Sequence, residues 1–172
     1  MSVFRGRRSL RALFLVVAAG AVAAVVLAGT GAFAATTGGC LLAGKATLTP
    51  GLTSKAQATS YTFTGTFSQC KGTGTVKSGT VTASGSGTAS CTANTTSGTS
   101  SVTWNTGQTS TISFTTKGTG TLVQVAGTFT GGLFAGSKAS AKLLFYTTTP
   151  QKCNTAGGLT SASFEGPSTI GI

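Results

Sequence analysis

Tyr61-Thr62-Phe63-Thr64-Gly65-Thr66-Phe67-Ser68 sets an aromatic residue or glycine at every odd position and a hydroxyl at every even one. A period of two defines a β-strand with one face toward a core and the other toward water. The same alternation recurs downstream. Val102 and Trp104 alternate with threonine or serine, as do Ile112 and Phe114, and Val123, Val125, Gly127 and Phe129 form a further inward set. Asn105-Thr106-Gly107-Gln108 lies between two of these runs and predicts a hairpin. Reflection through it sets Trp104 opposite Ile112 and Val102 opposite Phe114.

Leu143-Leu144-Phe145-Tyr146 is continuous rather than alternating, which predicts a central strand buried on both faces and ended by Pro150. A last strand is expected from Leu159 to Phe164, stopped by Gly166-Pro167. Helical periodicity is absent, and recurrent Thr, Ser and Gly depress helix propensity throughout. Eight or nine short strands in residues 35–172 predict one all-β domain, a single antiparallel β-sandwich, Ig-like or a partly closed barrel. The stretch 71–101 is nearly all Thr, Ser, Gly and Ala, with Val76 and Val81 its only large aliphatics. It reads either as a linker or, because Cys70 and Cys91 border or interrupt it, as a tethered hydroxyl-rich edge region.

Before this domain, Arg5, Arg7, Arg8 and Arg11 precede an apolar run from Ala12 to Ala28, and Ala32-Phe33-Ala34 offers small residues at −3 and −1. Residues 1–34 therefore have the layout of a secretory signal peptide, cleaved before Ala35. An uncleaved anchor is the competing reading, and only in that form would the protein meet a membrane. The Arg7-Arg8 pair leaves twin-arginine export open.

Four cysteines in an exported chain read as two disulfides, with three connectivities open to Cys40, Cys70, Cys91 and Cys153. A hairpin folded around Pro50-Gly51 would bring Cys40 and Cys70 together at its open end. That geometry favours Cys40–Cys70 and leaves Cys91 with Cys153.

Removing the leader takes away all four arginines and lowers the formal net charge from +11 to +7, as eight lysines against Glu165. Nucleic-acid binding draws on clustered Arg and Lys with aromatics among them, whereas these lysines are dispersed. Diffuse positive charge points instead to an anionic cell-wall polymer or glycan, or to lysines blunting strand edges.

General acid–base chemistry is poorly provided for. The chain has no His and no Asp, and Glu165 is its sole carboxylate side chain. A two-carboxylate glycosidase and a Ser-His-Asp triad are excluded within one chain. No carboxylate-based calcium site and no His-containing zinc site can be assembled, and no cofactor is expected. Ser54-Lys55 and Ser137-Lys138 are adjacent pairs whose side chains point to opposite strand faces, so neither forms a dyad. For binding, Trp104, Tyr61 and Tyr146 are the candidate aromatic contacts for glycan rings or apolar ligands. The competing role for Trp104 is core packing beside Ile112 and Phe114.

Cys40-Leu41-Leu42-Ala43-Gly44, Pro50-Gly51-Leu52, Tyr61-Thr62-Phe63-Thr64-Gly65 and Cys70 resemble small exported proteins of high-GC actinobacteria. So do Val102-Thr103-Trp104-Asn105 and Gly158-Leu159-Thr160-Ser161-Ala162. The resemblance covers the mature chain, implies an exported β-domain and transfers no functional residue. The antitumour chromoprotein apoproteins are similar only as small secreted sandwiches with two disulfides, and their cysteine spacing differs. The expectation is a non-catalytic, secreted binding or structural module of the cell envelope. The alternative is an extracellular small-molecule carrier or inhibitor protein with a pocket between its sheets.

Overall fold

A computed structural model describes residues 37–171, and the expected leader, 1–34, lies outside the described residues. Eight antiparallel strands follow one another in space as in sequence and close into a barrel when the first pairs with the last. The strands are β1 (Thr37–Leu52), β2 (Gln57–Lys71), β3 (Gly79–Ala89), β4 (Ala93–Trp104), β5 (Thr109–Thr119), β6 (Leu122–Gly132), β7 (Lys138–Tyr146) and β8 (Leu159–Gly171). A 3-10 helix, Pro150–Asn154, interrupts the β7–β8 connection.

The all-β reading therefore stands, whereas the sandwich gives way to closure. One continuous sheet has curled until β1 and β8 pair from Thr37↔Gly171 to Thr47↔Ser161. Closure satisfies every strand on both sides and removes the free edges that lysines would otherwise blunt. The stretch 71–101 is neither linker nor edge, because most of it forms β3 and β4 in the wall. Its inward residues are Val81 followed by the smaller Ala83 and Gly85 on β3, then Thr96, Gly98 and Ser100 on β4.

Alternation sorts the two faces. The outward residues of β4 are Thr95, Ser97, Thr99, Ser101 and Thr103, and β5 adds Thr111, Ser113, Thr115 and Lys117. Polar outside and apolar inside is the reverse of what a membrane-spanning barrel presents to lipid. No helix among the described residues is long and apolar enough to cross a membrane. Leu143-Leu144-Phe145-Tyr146 alternates after all: Leu143 is buried, Phe145 half-buried, and Leu144 and Tyr146 are both 48% exposed. A barrel wall has one buried face, so a continuous apolar run cannot be buried on both.

Aromatic packing closes one end of the barrel. Phe67 and Trp104 lie 5.4 Å apart between ring centroids, Trp104 and Phe134 meet edge-on at 5.5 Å, and Phe134 meets Phe129 at 5.6 Å. The indole Nε1 of Trp104 donates to Ser110 Oγ at 2.8 Å, and Ser110 in turn donates to the Leu133 carbonyl. At this end Cys40 is bonded to Cys70; at the other, Cys91 is bonded to Cys153. Both bridges match the pairing that hairpin geometry favours, and they fit an extracellular or otherwise oxidising compartment.

Two local details depart from the sequence reading. The β1–β2 turn falls at residues 53–56, and Pro50-Gly51 lies inside β1. The β4–β5 register pairs Val102 with Ser110, Ser100 with Ile112 and Gly98 with Phe114, not Trp104 with Ile112. Gly107, at φ +80°, makes a three-residue turn in which its N–H donates to the Trp104 carbonyl. The hairpin therefore pivots on Thr106. Strand β8 also runs past Gly166-Pro167, where Pro167 faces Leu41 of β1. The proline interrupts the β7–β8 pairing between Ala141↔Ser168 and Leu144↔Glu165 without ending the strand.

Candidate functional site: an apolar cavity inside the barrel

Above the aromatic plug the barrel is hollow. Its cavity measures about 450 Å³, within the range of about 300–1,000 Å³ typical of small-molecule sites. The floor includes Phe67, Ile112, Phe129 and Ile170, and the walls include Phe63, Phe114, Leu143, Phe145 and Phe164. Phe63 meets Phe164 edge-on at 5.3 Å, while Phe145 stacks on Phe164 at 5.4 Å. Among the described residues, no lysine and no carboxylate lines the cavity.

The space exists because rings lie over glycines instead of filling the lumen. Tyr61 pairs with Gly85, and Gly85 pairs with Gly98 on the next strand. A Cβ built at Gly85 would fall 2.4 Å from the Tyr61 Oη, and one at Gly98 would fall 2.8 Å from it. The tyrosine thus lies along the wall in a notch made by two glycines. Phe164 occupies a similar notch, with Cζ 2.7 Å from a Cβ at Gly44, and Trp104 does so over Gly79. Such aromatic–glycine pairing covers thin stretches of sheet and pins its register.

One sector of the wall is polar. On the mouth-side half of β2, β4 and β5, the Tyr61 Oη lies 3.4 Å from Thr96 Oγ1. Thr96 Oγ1 is 2.7 Å from Thr116 Oγ1, which donates to Asn94 Oδ1 at 2.9 Å. Tyr61 also donates to the Ser97 carbonyl at 3.4 Å. Burial raises the Tyr61 pKa above its ordinary 10.0, partly offset by the hydrogen bond from Thr96. The phenol is therefore neutral at physiological pH and can donate.

The mouth is bordered by the β7–β8 connection. Thr147, Pro150 and Cys153 line the cavity, and Cys91–Cys153 ties this strap to the β3–β4 turn. Ser54 N–H donates to the Cys153 carbonyl at 3.1 Å and Cys91 N–H to the Thr53 carbonyl at 2.8 Å, so three connections are knitted together. Beside the mouth, exposed Leu122 pairs directly with exposed Leu144, one alternation below Tyr146.

The three candidate aromatics thus separate. Tyr61 is in the cavity wall, Tyr146 is exposed at its rim, and Trp104, 2% exposed, lies beneath the floor in the plug. Indole burial and its bond to Ser110 account for the Trp104 position. Asn94-Thr95-Thr96 reads in sequence as a glycosylation sequon or a polar turn, and Thr116 carries no signal there. Yet every second position of β4 and β5 places Asn94, Thr96 and Thr116 inward. Glu165 is exposed on the outer face of β8, opposite Ala43 and Leu144, so it takes no part in the cavity.

The fold and cavity define a class, that of closed eight-stranded barrels with an apolar lumen. Barrels of this strand number have interiors just wide enough to be filled by side chains or to hold one small ligand. No protein-family model, characterised protein or solved structure matches the chain.

Proposed function

We propose that the protein is an exported, non-catalytic carrier that holds one small apolar molecule inside its barrel. The cavity carries this reading. Filling about 450 Å³ of apolar space with side chains would recover packing on the order of 10 kcal/mol, comparable to the net stability of a domain. A sequence that sets glycines beneath its rings and leaves that space open forgoes a large stabilisation. Binding a guest is the return that best explains it. Export is supported by the basic–apolar–small pattern of residues 1–34 and by the two disulfides. The lack of histidine and aspartate, with Glu165 on the outer face, supports carriage rather than turnover.

The expectation of an envelope-binding or structural module draws on the dispersed lysines and needs no hollow interior. The cavity therefore favours carriage over it. Titration with the neutral fluorophore N-phenyl-1-naphthylamine tests the choice. A carrier gives saturable fluorescence enhancement at one site per chain, or shows the enhancement only after a resident guest has been extracted. No enhancement before or after extraction would leave the envelope module as the better reading.

A further inference from the structure

We infer that the strip formed by Tyr61, Thr96, Thr116 and Asn94 is a recognition site for one hydroxyl or carbonyl group on an otherwise apolar, uncharged ring compound. This rests on the carrier reading and specifies the guest. Three observations converge on it.

Polarity within the lumen is graded, and its connected hydrogen-bonded chain lies toward the mouth. The inward face of β4 runs Asn94, Thr96, Gly98, Ser100, Val102, Trp104 from mouth to base, and the strip occupies its mouth-side end. The deeper wall is built mainly of Phe63, Phe114 and Phe164, with Ser100 and Ser168 as isolated buried hydroxyls, the latter donating to the Cys40 carbonyl. A guest with an apolar ring body and one polar end fits this gradient with the body down and the oxygen toward the mouth.

The strip can answer either kind of polar group. Two threonine protons serve three contacts, Thr96 to Tyr61, Thr96 to Thr116 and Thr116 to Asn94. Because hydroxyls rotate, the chain offers a donor or an acceptor according to the partner. Both contacts of the Tyr61 hydroxyl are long, at 3.4 Å, so its proton is easily redirected to a guest.

Charge is excluded. A carboxylate or ammonium carried into this lumen would meet neither lysine nor carboxylate among the described lining residues and would lose its hydration uncompensated. The guest is therefore neutral.

The experiment is competition against bound N-phenyl-1-naphthylamine by naphthalene, 2-naphthol and 2-naphthoate at neutral pH. The three probes share a ring body and differ only in the group offered to the strip. 2-Naphthol should bind about two- to tenfold more tightly than naphthalene, the worth of one net hydrogen bond, and 2-naphthoate should not displace the probe. Tyr61→Phe and Thr116→Val should each bring the naphthol-to-naphthalene ratio toward one by lowering naphthol affinity more than naphthalene affinity. Retained naphthalene binding shows that a variant has folded, and the near-isosteric Thr116→Val suffices if Tyr61→Phe does not fold. Equal affinity for naphthol and naphthalene, a ratio that survives both substitutions, or tight naphthoate binding would each overturn the recognition site while sparing the carrier. If neither N-phenyl-1-naphthylamine nor naphthalene binds the extracted protein, the carrier reading itself fails and takes this inference with it.

Discussion

Tyr61 and Trp104 obey the same inward alternation, yet one edges a cavity and the other plugs the barrel, and their neighbours decide the difference. Tyr61 lies over the Gly85–Gly98 pair, which lets its ring flatten against the wall. Trp104 lies over Gly79 but is also packed by Phe67 and Phe134 and held by Ser110, so it fills the base. Trp104→Phe should therefore cost about 1–3 kcal/mol through lost volume and a lost indole hydrogen bond, with N-phenyl-1-naphthylamine affinity unchanged. Denaturant midpoints and a probe titration of the same variant check both halves. Tyr61 gives a prediction in pH. Its folded-state pKa is raised above 10.0 by burial, so the unfolded chain ionises first as the solution becomes alkaline. Stability linked to Tyr61 should hold up to about pH 10 and fall as pH rises further. Unfolding curves compared between the protein and Tyr61→Phe isolate that portion; equal alkaline losses in both would contradict it.

Strands and turns separate what the sequence discloses from what it conceals. The facing of β2, β5 and β6 was legible because alternation is a property of one strand. The Cys40–Cys70 bridge was legible because a hairpin is local. The β4–β5 register was not, since Gly107 in a left-handed conformation moved the pivot to Thr106 and shifted every pairing. The cavity was hidden for a further reason: it depends on Tyr61, Gly85 and Gly98 meeting across three strands, which is fixed only once two registers are known. The glycine notch is itself testable. In Gly98→Val the new side chain would strike the Ser84 carbonyl and the Tyr61 hydroxyl, turning the tyrosine into the lumen. Stability should fall by about 1–3 kcal/mol from overpacking, and probe binding should weaken by more than Tyr61→Phe weakens it. The mouth strap is held by a bridge whose cysteines are 62 residues apart in sequence. Cys91→Ala/Cys153→Ala should lower stability by about 4 kcal/mol on the loop-entropy account and accelerate probe release in stopped-flow displacement. Unaltered release would mean that Ser54 and the turn hydrogen bonds hold the mouth without it.

At the level of the whole molecule, a hollow interior and two disulfides form a consistent pair. A barrel that leaves its lumen open gives up core packing, and cross-links that restrict the unfolded chain restore part of the lost stability. Such bonds form mainly where thiols stay oxidised, which agrees with the export proposed from the pattern of residues 1–34. Closure fits the same setting, because a sheet without edges and with an outer face of Thr, Ser and Lys resists pairing with other chains. Intact-mass spectrometry of the protein from culture medium joins these arguments in one measurement. The expected species begins at Ala35 and gains four hydrogens on reduction, two for each bridge. A guest adds mass under native conditions that disappears on denaturation, and its oxygen content reports directly on the Tyr61–Thr96–Thr116 strip. Recovery of the full 16.8 kDa chain from the membrane fraction would instead make the leader an anchor. The barrel would then hold its guest at a membrane surface, and diffusible carriage would be ruled out.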